Sequence, residues 1–426
     1  VNSNNRRGRR PPSAQPAARD LTVTIRDVGH RGDGVADLSP PLFVPRTLAG
    51  ETVRVRASGS HADPLEIVSA SPDRQTPPCP YFGTCGGCAV QHMADPAYRA
   101  WKRGLVVAAL ADRGIDTPVA PLVAASPGSR RRAVLTAHGS GRTVRLGYHA
   151  RASHDIVDIE SCLVLTPGLV ERFTAFRDIA RLAHPKKGSL RMTVTETETG
   201  VDVALEGGAE PDHAGFGALA TIMQRNGIAR VTLDGATLLA LTEPVVRIGR
   251  ATVGFPPGGF LQATAEAEQE LAFRVSSALA GAKRVADLFS GAGTFALRLA
   301  ETAPVLAVES DRALLDASVA AAARTEGLKP VKGICRDLFT FPVSAKELAK
   351  VDGLVFDPPR AGAAAQAAEI ATSGVKTVVA VSCNPATLAR DLRLLLDGGY
   401  VLDEVVPVDQ FLYAPHIEVV AVLHRS

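Results

Sequence analysis

From about residue 260 onward, short apolar runs alternate with alanine-rich stretches of helical length. No other feature of the chain constrains its fold as tightly. The runs are Val285–Phe289, Val305–Val308, Val331–Ile334, Leu354–Phe356, Thr377–Val381, Val405–Val408 and Ile417–Leu423. Helical patterns fill most of the intervals, as at 311–326 and 385–396. Apolar strands separated by helices are what a parallel sheet covered on both faces requires. The expected fold class is α/β, with a doubly wound sheet. Ligands of such sheets lie at the carboxyl ends of the strands. Polar residues at those ends are therefore the first candidates for a site.

The earlier part of the chain reads differently. Leu21–Ile25, Leu42–Val44, Thr52–Arg56 and Leu65–Val68 alternate as strands do, punctuated by Gly29, Gly32, Gly34, Pro45 and Gly50. Short strands at this spacing fit a small closed barrel of the oligonucleotide-binding type, and any small β-domain fits the composition as well. Pro72 and Pro77-Pro78 mark a break. Asp95-Pro96 opens a helix that Gly114 stops, so a helix is expected over 95–113. Residues 130–260 read mostly as strands, at Val144–Tyr148, Met192–Thr197, Val201–Leu205, Val231–Leu233 and Val245–Ile248. The expected domains are a disordered basic tail at 1–20, the barrel at 21–71, a β-rich central domain at 72–260 and the α/β domain at 261–426.

The chain has 426 residues and a net charge of +3, which neither demands nor excludes a polyanionic partner. Any nucleic-acid surface must then be local. Arg6, Arg7, Arg9 and Arg10 form a basic arm, and Arg130, Arg131 and Arg132 a second cluster. Each reads equally well as a solvated charged face. No run has the apolar length to span a bilayer, and the first twenty residues lack the apolar core of a secretory signal. A cytoplasmic location with no membrane partner is expected, and the working state is expected to be a monomer. The six cysteines should then be reduced, so clustered ones point to metal binding or catalysis.

The first strand of the α/β region runs into Asp287-Leu288-Phe289-Ser290-Gly291-Ala292-Gly293-Thr294. Two glycines permit a tight turn and close approach to a ligand. The next strand ends at Glu309, where an acid can accept both hydroxyls of a ribose. A dinucleotide enzyme shares these features. The aspartate ahead of the glycines, and Asp357-Pro358-Pro359-Arg360 after the fourth strand, favour S-adenosylmethionine and methyl transfer to a nucleic-acid base.

The fifth strand ends Ser382-Cys383-Asn384-Pro385. Asn384 suits a helix cap and Pro385 the first helical position, placing Cys383 just outside a helix N-terminus. The helix dipole is expected to lower the thiol pKa and favour thiolate. A buried structural cysteine is the plain alternative. Methylation at C5 of uracil gives such a thiolate a task. Its attack on C6 makes C5 nucleophilic toward a methyl sulfonium. The C5 proton must afterwards be removed by a general base, for which Glu418 in His416-Ile417-Glu418 is the candidate.

Cys79, Cys85 and Cys88 lie on a glycine-rich loop, with Cys162 as a fourth ligand. Four thiolates suit an iron–sulfur cluster or structural zinc, and spacing alone decides neither. Cys335, apolar-flanked, is expected to be inert.

Together these motifs resemble the bacterial uracil-C5 RNA methyltransferase family, most closely its 23S rRNA branch, over nearly the whole chain after the tail. The resemblance implies a class I S-adenosylmethionine methyltransferase domain with a Rossmann-like sheet. It also implies that the barrel, with Gly32-Asp33-Gly34-Val35-Ala36 and Leu42-Phe43-Val44-Pro45, is an RNA-binding TRAM domain, and that Cys79, Cys85, Cys88 and Cys162 hold a 4Fe-4S cluster. Gln262, Phe289, Glu309, Asp337 and Asp357 would contact S-adenosylmethionine. Cys383 would be the nucleophile and Glu418 the base, and the 95–113 helix would pack with the catalytic domain. Thr264 stands where the family usually has asparagine, and Leu412 and Ala414 replace a usual proline and threonine. The implied substrate is a uridine in 23S rRNA. A tRNA uridine, a cytosine-C5 reaction and a non-catalytic RNA-binding iron–sulfur protein are the rivals. The cytosine enzymes carry a second cysteine beside the Asp357 motif, where this chain has Phe356-Asp357-Pro358-Pro359.

Overall fold

The computed structural model describes residues 18–140, 143–185 and 188–425. The basic arm of Arg6, Arg7, Arg9 and Arg10 lies outside them. The chain divides into two compact units. One runs to Thr76 and includes Ala89–Ala94; the other comprises Pro77–Cys88 and everything from Asp95 onward.

The first unit is a closed five-stranded barrel of β1 (Arg19–Val28), β2 (Asp33–Ala36), β3 (Leu42–Pro45), β4 (Thr52–Ser58) and β5 (His61–Ser69), ordered β1-β2-β3-β5-β4. Val23, Ile25, Val53 and Val55 alternate inward at the two-residue period of strands and fill its core. Gly34 is fixed by space. A Cβ there would lie 2.1 Å from Thr47 Oγ1 and 2.8 Å from Ile25 Cγ2.

The second unit holds two seven-stranded sheets. The central sheet contains β6 (Arg132–Ser140), β7 (Thr143–His149), β8 (Ile156–Asp158), β9 (Ser189–Thr197), β10 (Gly200–Glu206), β11 (Ile228–Leu233) and β12 (Ala236–Ala240). Its order is β12-β11-β10-β9-β6-β7-β8, antiparallel except for β10 with β11. After α2 (Pro167–Val170), α3 (Phe173–Leu182) and α4 (His213–Asn226) pack on each other and on this sheet. A mostly β reading of 130–260 misses both. Phe173, Phe176, Ile179 and Ala180 form a buried helical stripe in α3. The α4 helix is capped by Asp212, whose Oδ1 accepts from Gly215 N at 2.8 Å, and stops at Gly227 with φ 59°. The hairpin of β13 (Val245–Ile248) and β14 (Ala251–Gly254) leads to α5 (Ala265–Ala278).

The C-terminal sheet contains β15 (Val285–Leu288), β16 (Val305–Glu309), β17 (Val331–Cys335), β18 (Gly353–Phe356), β19 (Thr377–Ser382), β20 (Val401–Val408) and β21 (Glu418–His424). Its order is β17-β16-β15-β18-β19-β21-β20. Between the strands run α6 (Ala296–Leu299), α7 (Arg312–Arg324), α8 (Ala364–Ala371) and α9 (Pro385–Asp397). Five strands are parallel, but β21 runs antiparallel to both β19 and β20. The sheet is thus not parallel throughout, as the alternation implied. No crossover helix separates β20 from β21, and a direct loop between neighbours forces them antiparallel. Far away in sequence, α1 (Asp95–Ala111) packs against α9 and β20. Among the described residues no helix is long and apolar enough to cross a membrane.

Candidate active site

The carboxyl edge of the C-terminal sheet gathers polar residues from seven separate stretches of chain. After β15, Phe289 adopts a left-handed φ of 64°, and Gly291 (54°) and Gly293 (91°) continue the turn. A side chain at Gly293 would strike Leu297 and Ser318 at about 3 Å, so this turn must be tight and bare. Asp287 is buried at its base. Its Oδ2 accepts from Ala296 N at 2.8 Å, while Oδ1 and the nearby Ser290 Oγ are buried without a partner. Burial raises the Asp287 carboxyl well above its ordinary value.

Glu309 ends β16. Its Oε2 accepts from Gly291 N at 2.9 Å and its Oε1 from the backbone of Ser310 (2.7 Å) and Asp311 (2.8 Å). Asp337 follows β17. The Thr340 hydroxyl (2.6 Å) and Phe339 N (2.9 Å) hold its carboxyl below the ordinary value. The Phe289 and Phe339 rings lie 5.6 Å apart. Asp357 follows β18, Cys383 follows β19, and Glu418 is the first residue of β21. Asn384 caps α9 through Ala386 N (3.2 Å), and its Nδ2 donates to Arg360 O at 2.9 Å, joining the Cys383 turn to the Asp357 loop.

Gln262, Phe289, Glu309, Asp337, Asp357, Cys383 and Glu418 all line one cavity of about 490 Å³, a volume suited to a small-molecule ligand. The sequence reading did not include Gln410, which also lines it. Gln410 Nε2 donates to Glu418 Oε2 and to Gln262 Oε1, both at 2.7 Å. Its Oε1 accepts from Ala263 N at 2.7 Å, and Gln262 Nε2 donates to Asp357 Oδ2 at 3.2 Å. Two amides thereby join the two carboxylates. The signal for Gln410 was its place near a strand's carboxyl end, two residues past β20.

The electrostatics correct one expectation. Cys383 does lie just ahead of a capped helix, yet its thiol is pushed up to about 12, first by burial and then by the charges of Glu418 and Asp357. Arg360 opposes this only in part. The helix dipole acts within one turn and is worth up to about 2 kcal/mol, and burial between two acids outweighs it. Burial also raises the carboxyls of Glu418 and Asp357, and the charge of Asp357 raises Glu418 further. His416 is driven down to about 4 by burial and by Arg360, Lys102 and Arg130, so its imidazole is neutral at pH 7.

The arginine cluster divides by task. Arg130 lies 5.8 Å from the Phe411 ring and Arg132 6.0 Å from the Phe260 ring, and both line the cavity. Arg131 instead pairs with Glu268, which also meets Arg298 at 2.8 Å. Thr264, the departure from asparagine, caps α5 by accepting from Ala267 N at 3.2 Å, a role that asparagine also fills. Leu412 and Ala414 flank Tyr413, which is left-handed at φ 62°.

Cys79, Cys85, Cys88 and Cys162 are all half-buried. Burial raises the Cys85 and Cys162 thiols, and the charge of Cys79 adds to both. Gly87 N donates to Cys85 Sγ at 3.4 Å. This soft donor set suits iron–sulfur or zinc chemistry. Among the described residues no three Cys, His, Asp or Glu side chains are arranged as a metal site.

Comparison with known proteins agrees with this geometry. The family profile described as tRNA (Uracil-5-)-methyltransferase matches residues 343–426. An uncharacterized RNA methyltransferase of Brucella suis is 47% identical, over 95% of this chain and 98% of its own length. The 23S rRNA (uracil(1939)-C(5))-methyltransferase RlmD of Chromohalobacter salexigens is 33% identical, over 99% of this chain and 94% of its own. A solved structure, the Pyrococcus abyssi tRNA (uracil-54, C5)-methyltransferase in complex with S-adenosyl-L-homocysteine, shares the fold. Its TM-score is 0.72 at 23% identity, covering 94% of this chain and 99% of that one. With whole-length relatives at this identity and the edge of its sheet so furnished, the chain belongs to the RNA uracil-C5 methyltransferase family.

Proposed function

We propose that this protein transfers the methyl group of S-adenosylmethionine to C5 of a uridine in 23S rRNA, through a covalent bond between Cys383 and C6. The observation that carries the reading is the convergence of Cys383, Glu418 and Asp357 on the cavity that also holds Glu309 and the glycine turn. The residues fit the methyl donor. Glu309 suits its ribose, Phe289 and Phe339 its adenine with Asp337 at the rim, and the unpartnered Ser290 Oγ its polar end. Gln262 and Asp357, bonded to each other, line the same cavity as Cys383.

The free enzyme keeps its thiol protonated. On RNA binding Asp357 takes that proton, and Glu418 remains the basic carboxylate. Sulfur bonds to C6, the C5–C6 π electrons shift toward O4, and C5 attacks the methyl carbon while the sulfonium C–S bond breaks. Glu418 removes the C5 proton, C5=C6 re-forms and the Cys383 thiolate leaves. One proton is released overall. The target base must leave its stack to reach Cys383, and Arg130 and Arg132 stand at the cavity to hold adjoining nucleotides.

Cys79, Cys85, Cys88 and Cys162 would hold a 4Fe-4S cluster that fastens their loop, outside the path of the methyl group. Purified protein should be brown and contain iron; stoichiometric zinc instead would overturn this. A tRNA uridine is the second reading, favoured by the family profile and by the substrate named for the P. abyssi enzyme. The 33% identity to a 23S rRNA enzyme over nearly both whole chains favours rRNA. Incubation with methyl-labelled S-adenosylmethionine and unmodified total RNA decides. Label in 5-methyluridine from 23S rRNA supports the proposal, and the same nucleoside in tRNA discards the substrate. No label, with iron present, discards the reaction.

A further inference from the structure

Helix α1 buries Tyr98, Lys102, Val106 and Leu110, a stripe of every fourth residue. A lysine has no ordinary place on such a stripe, and Lys102 is wholly buried (0% exposed). Its ammonium has three protons and finds three acceptors: Asp409 Oδ1 at 3.0 Å, Phe411 O at 3.3 Å and His416 O. These belong to both ends of the loop that joins β20 to β21. Tyr98 works on the same loop. Its hydroxyl donates to Asp409 Oδ2 at 2.5 Å and accepts from Tyr413 N at 3.1 Å. Tyr413 is the residue held left-handed, at a backbone angle that its side chain disfavours and its surroundings must enforce. Next to Asp409 is Gln410, which bonds Glu418, and two residues beyond His416 is Glu418 itself.

We infer that Lys102 and Tyr98 are positioning residues for Glu418, clasping the 409–416 loop so that its two ends present the Gln410 amide and the Glu418 carboxylate to one point. This rests on the reading of Glu418 as the base that resolves the adduct. Neither α1 residue lines the cavity, so both act through the loop. The reaction itself separates positioning from mere stability. Glu418 is needed as base after the methyl group has moved, so a displaced Glu418 leaves adduct formation running and slows its resolution. The methylated RNA–enzyme adduct then accumulates.

The test incubates Lys102→Met, Tyr98→Phe, Val106→Ala and Glu418→Gln enzymes with methyl-labelled S-adenosylmethionine and unmodified total RNA. Labelled protein–RNA adduct is read on a denaturing gel. Glu418→Gln sets the upper limit of accumulation. Lys102→Met and Tyr98→Phe should hold several-fold more adduct than wild type while turnover falls. Val106→Ala loses packing on the same stripe without touching the loop, and should not accumulate it. Tyr98→Phe keeps the ring and the fold, so the test stands if Lys102→Met does not fold. Loss of turnover in Tyr98→Phe without accumulation, while Glu418→Gln accumulates, overturns the positioning role alone. If Glu418→Gln itself accumulates nothing, the base assignment fails and the positioning role falls with it.

Discussion

Buried carboxylates of the second unit differ in what faces them. In the scaffold three have a cation: Glu268 has Arg131 and Arg298, Asp202 has Arg230 at 2.8 Å, and Asp409 has Lys102 at 3.0 Å. At the pocket, Glu418 and the slightly more open Asp357 have amides instead, from Gln410 and Gln262. Among the described residues neither of these two carboxylates makes a salt bridge. A guanidinium or ammonium beside a carboxylate favours its charged form and ties it into the frame, although at Asp202 burial still raises the carboxyl. An amide holds the carboxylate in place and leaves it free to take and give a proton. The same residue types thus serve rigidity in one region and proton transfer in the other, and the choice of neighbour decides which.

The largest effect should follow removal of the group these acids serve. Cys383→Ala should lower methyl transfer roughly 10⁴-fold or more, with a melting temperature near wild type. Retained turnover would leave the pocket acids with nothing to act upon.

A pair of matched substitutions tests the contrast itself. Glu268→Gln strips two arginines of their charge partner and should cost about 3–5 kcal/mol, read as a lowered melting temperature. Glu418→Gln should cost little. The raised pKa of Glu418 means that the folded state holds this proton more tightly than the unfolded chain. Its contribution to stability is therefore complete below the ordinary value of 4.5 and is lost as pH rises through the raised value. The variant should gain on wild type as pH rises from 4.5 through the raised value, and no further beyond it. Equal losses from the two substitutions would erase the distinction.

A smaller effect concerns the thiol. Alkylation of Cys383 by iodoacetamide, followed by mass of its peptide, should be slow at neutral pH and still climbing at pH 10, because the pKa stands at about 12. Asp357→Asn should speed it ~10-fold at pH 8, the effect of one pKa unit. A plateau near neutrality would return the thiol to control by the helix dipole. The smallest effect is at Thr264. Replacement by Asn should stay within about 0.5 kcal/mol of wild type in chemical denaturation, and replacement by Ala should cost about 1 kcal/mol.

Much of the C-terminal sheet was legible, because strands buried on both faces leave apolar runs that no exposed segment imitates. The expected Val305–Val308 and Val331–Ile334 differ from the observed strands by one residue each. The reversed β21 was not legible, since direction depends on the connection and not on the run itself. In α3 and α4 the apolar stripe and the Asp212 cap were present but lay among strong strands, and pairing dominated the reading. The pocket residues were found where a strand ended in a polar group. Lys102 and Asp409 escaped because each looks like a solvated charge until the fold brings residues some 300 positions apart into contact. The Cys383 pKa was misjudged for the same reason, since its two acids come from other strands.

Covalent catalysis at C5 is tested most directly with RNA in which uridine is replaced by 5-fluorouridine, because fluorine stands where Glu418 must find a proton. With labelled S-adenosylmethionine, the account predicts a stable adduct of one RNA and one methyl group per enzyme, with the modified peptide containing Cys383. Normal methylation of ordinary RNA, with no adduct on the fluorinated RNA, would contradict it.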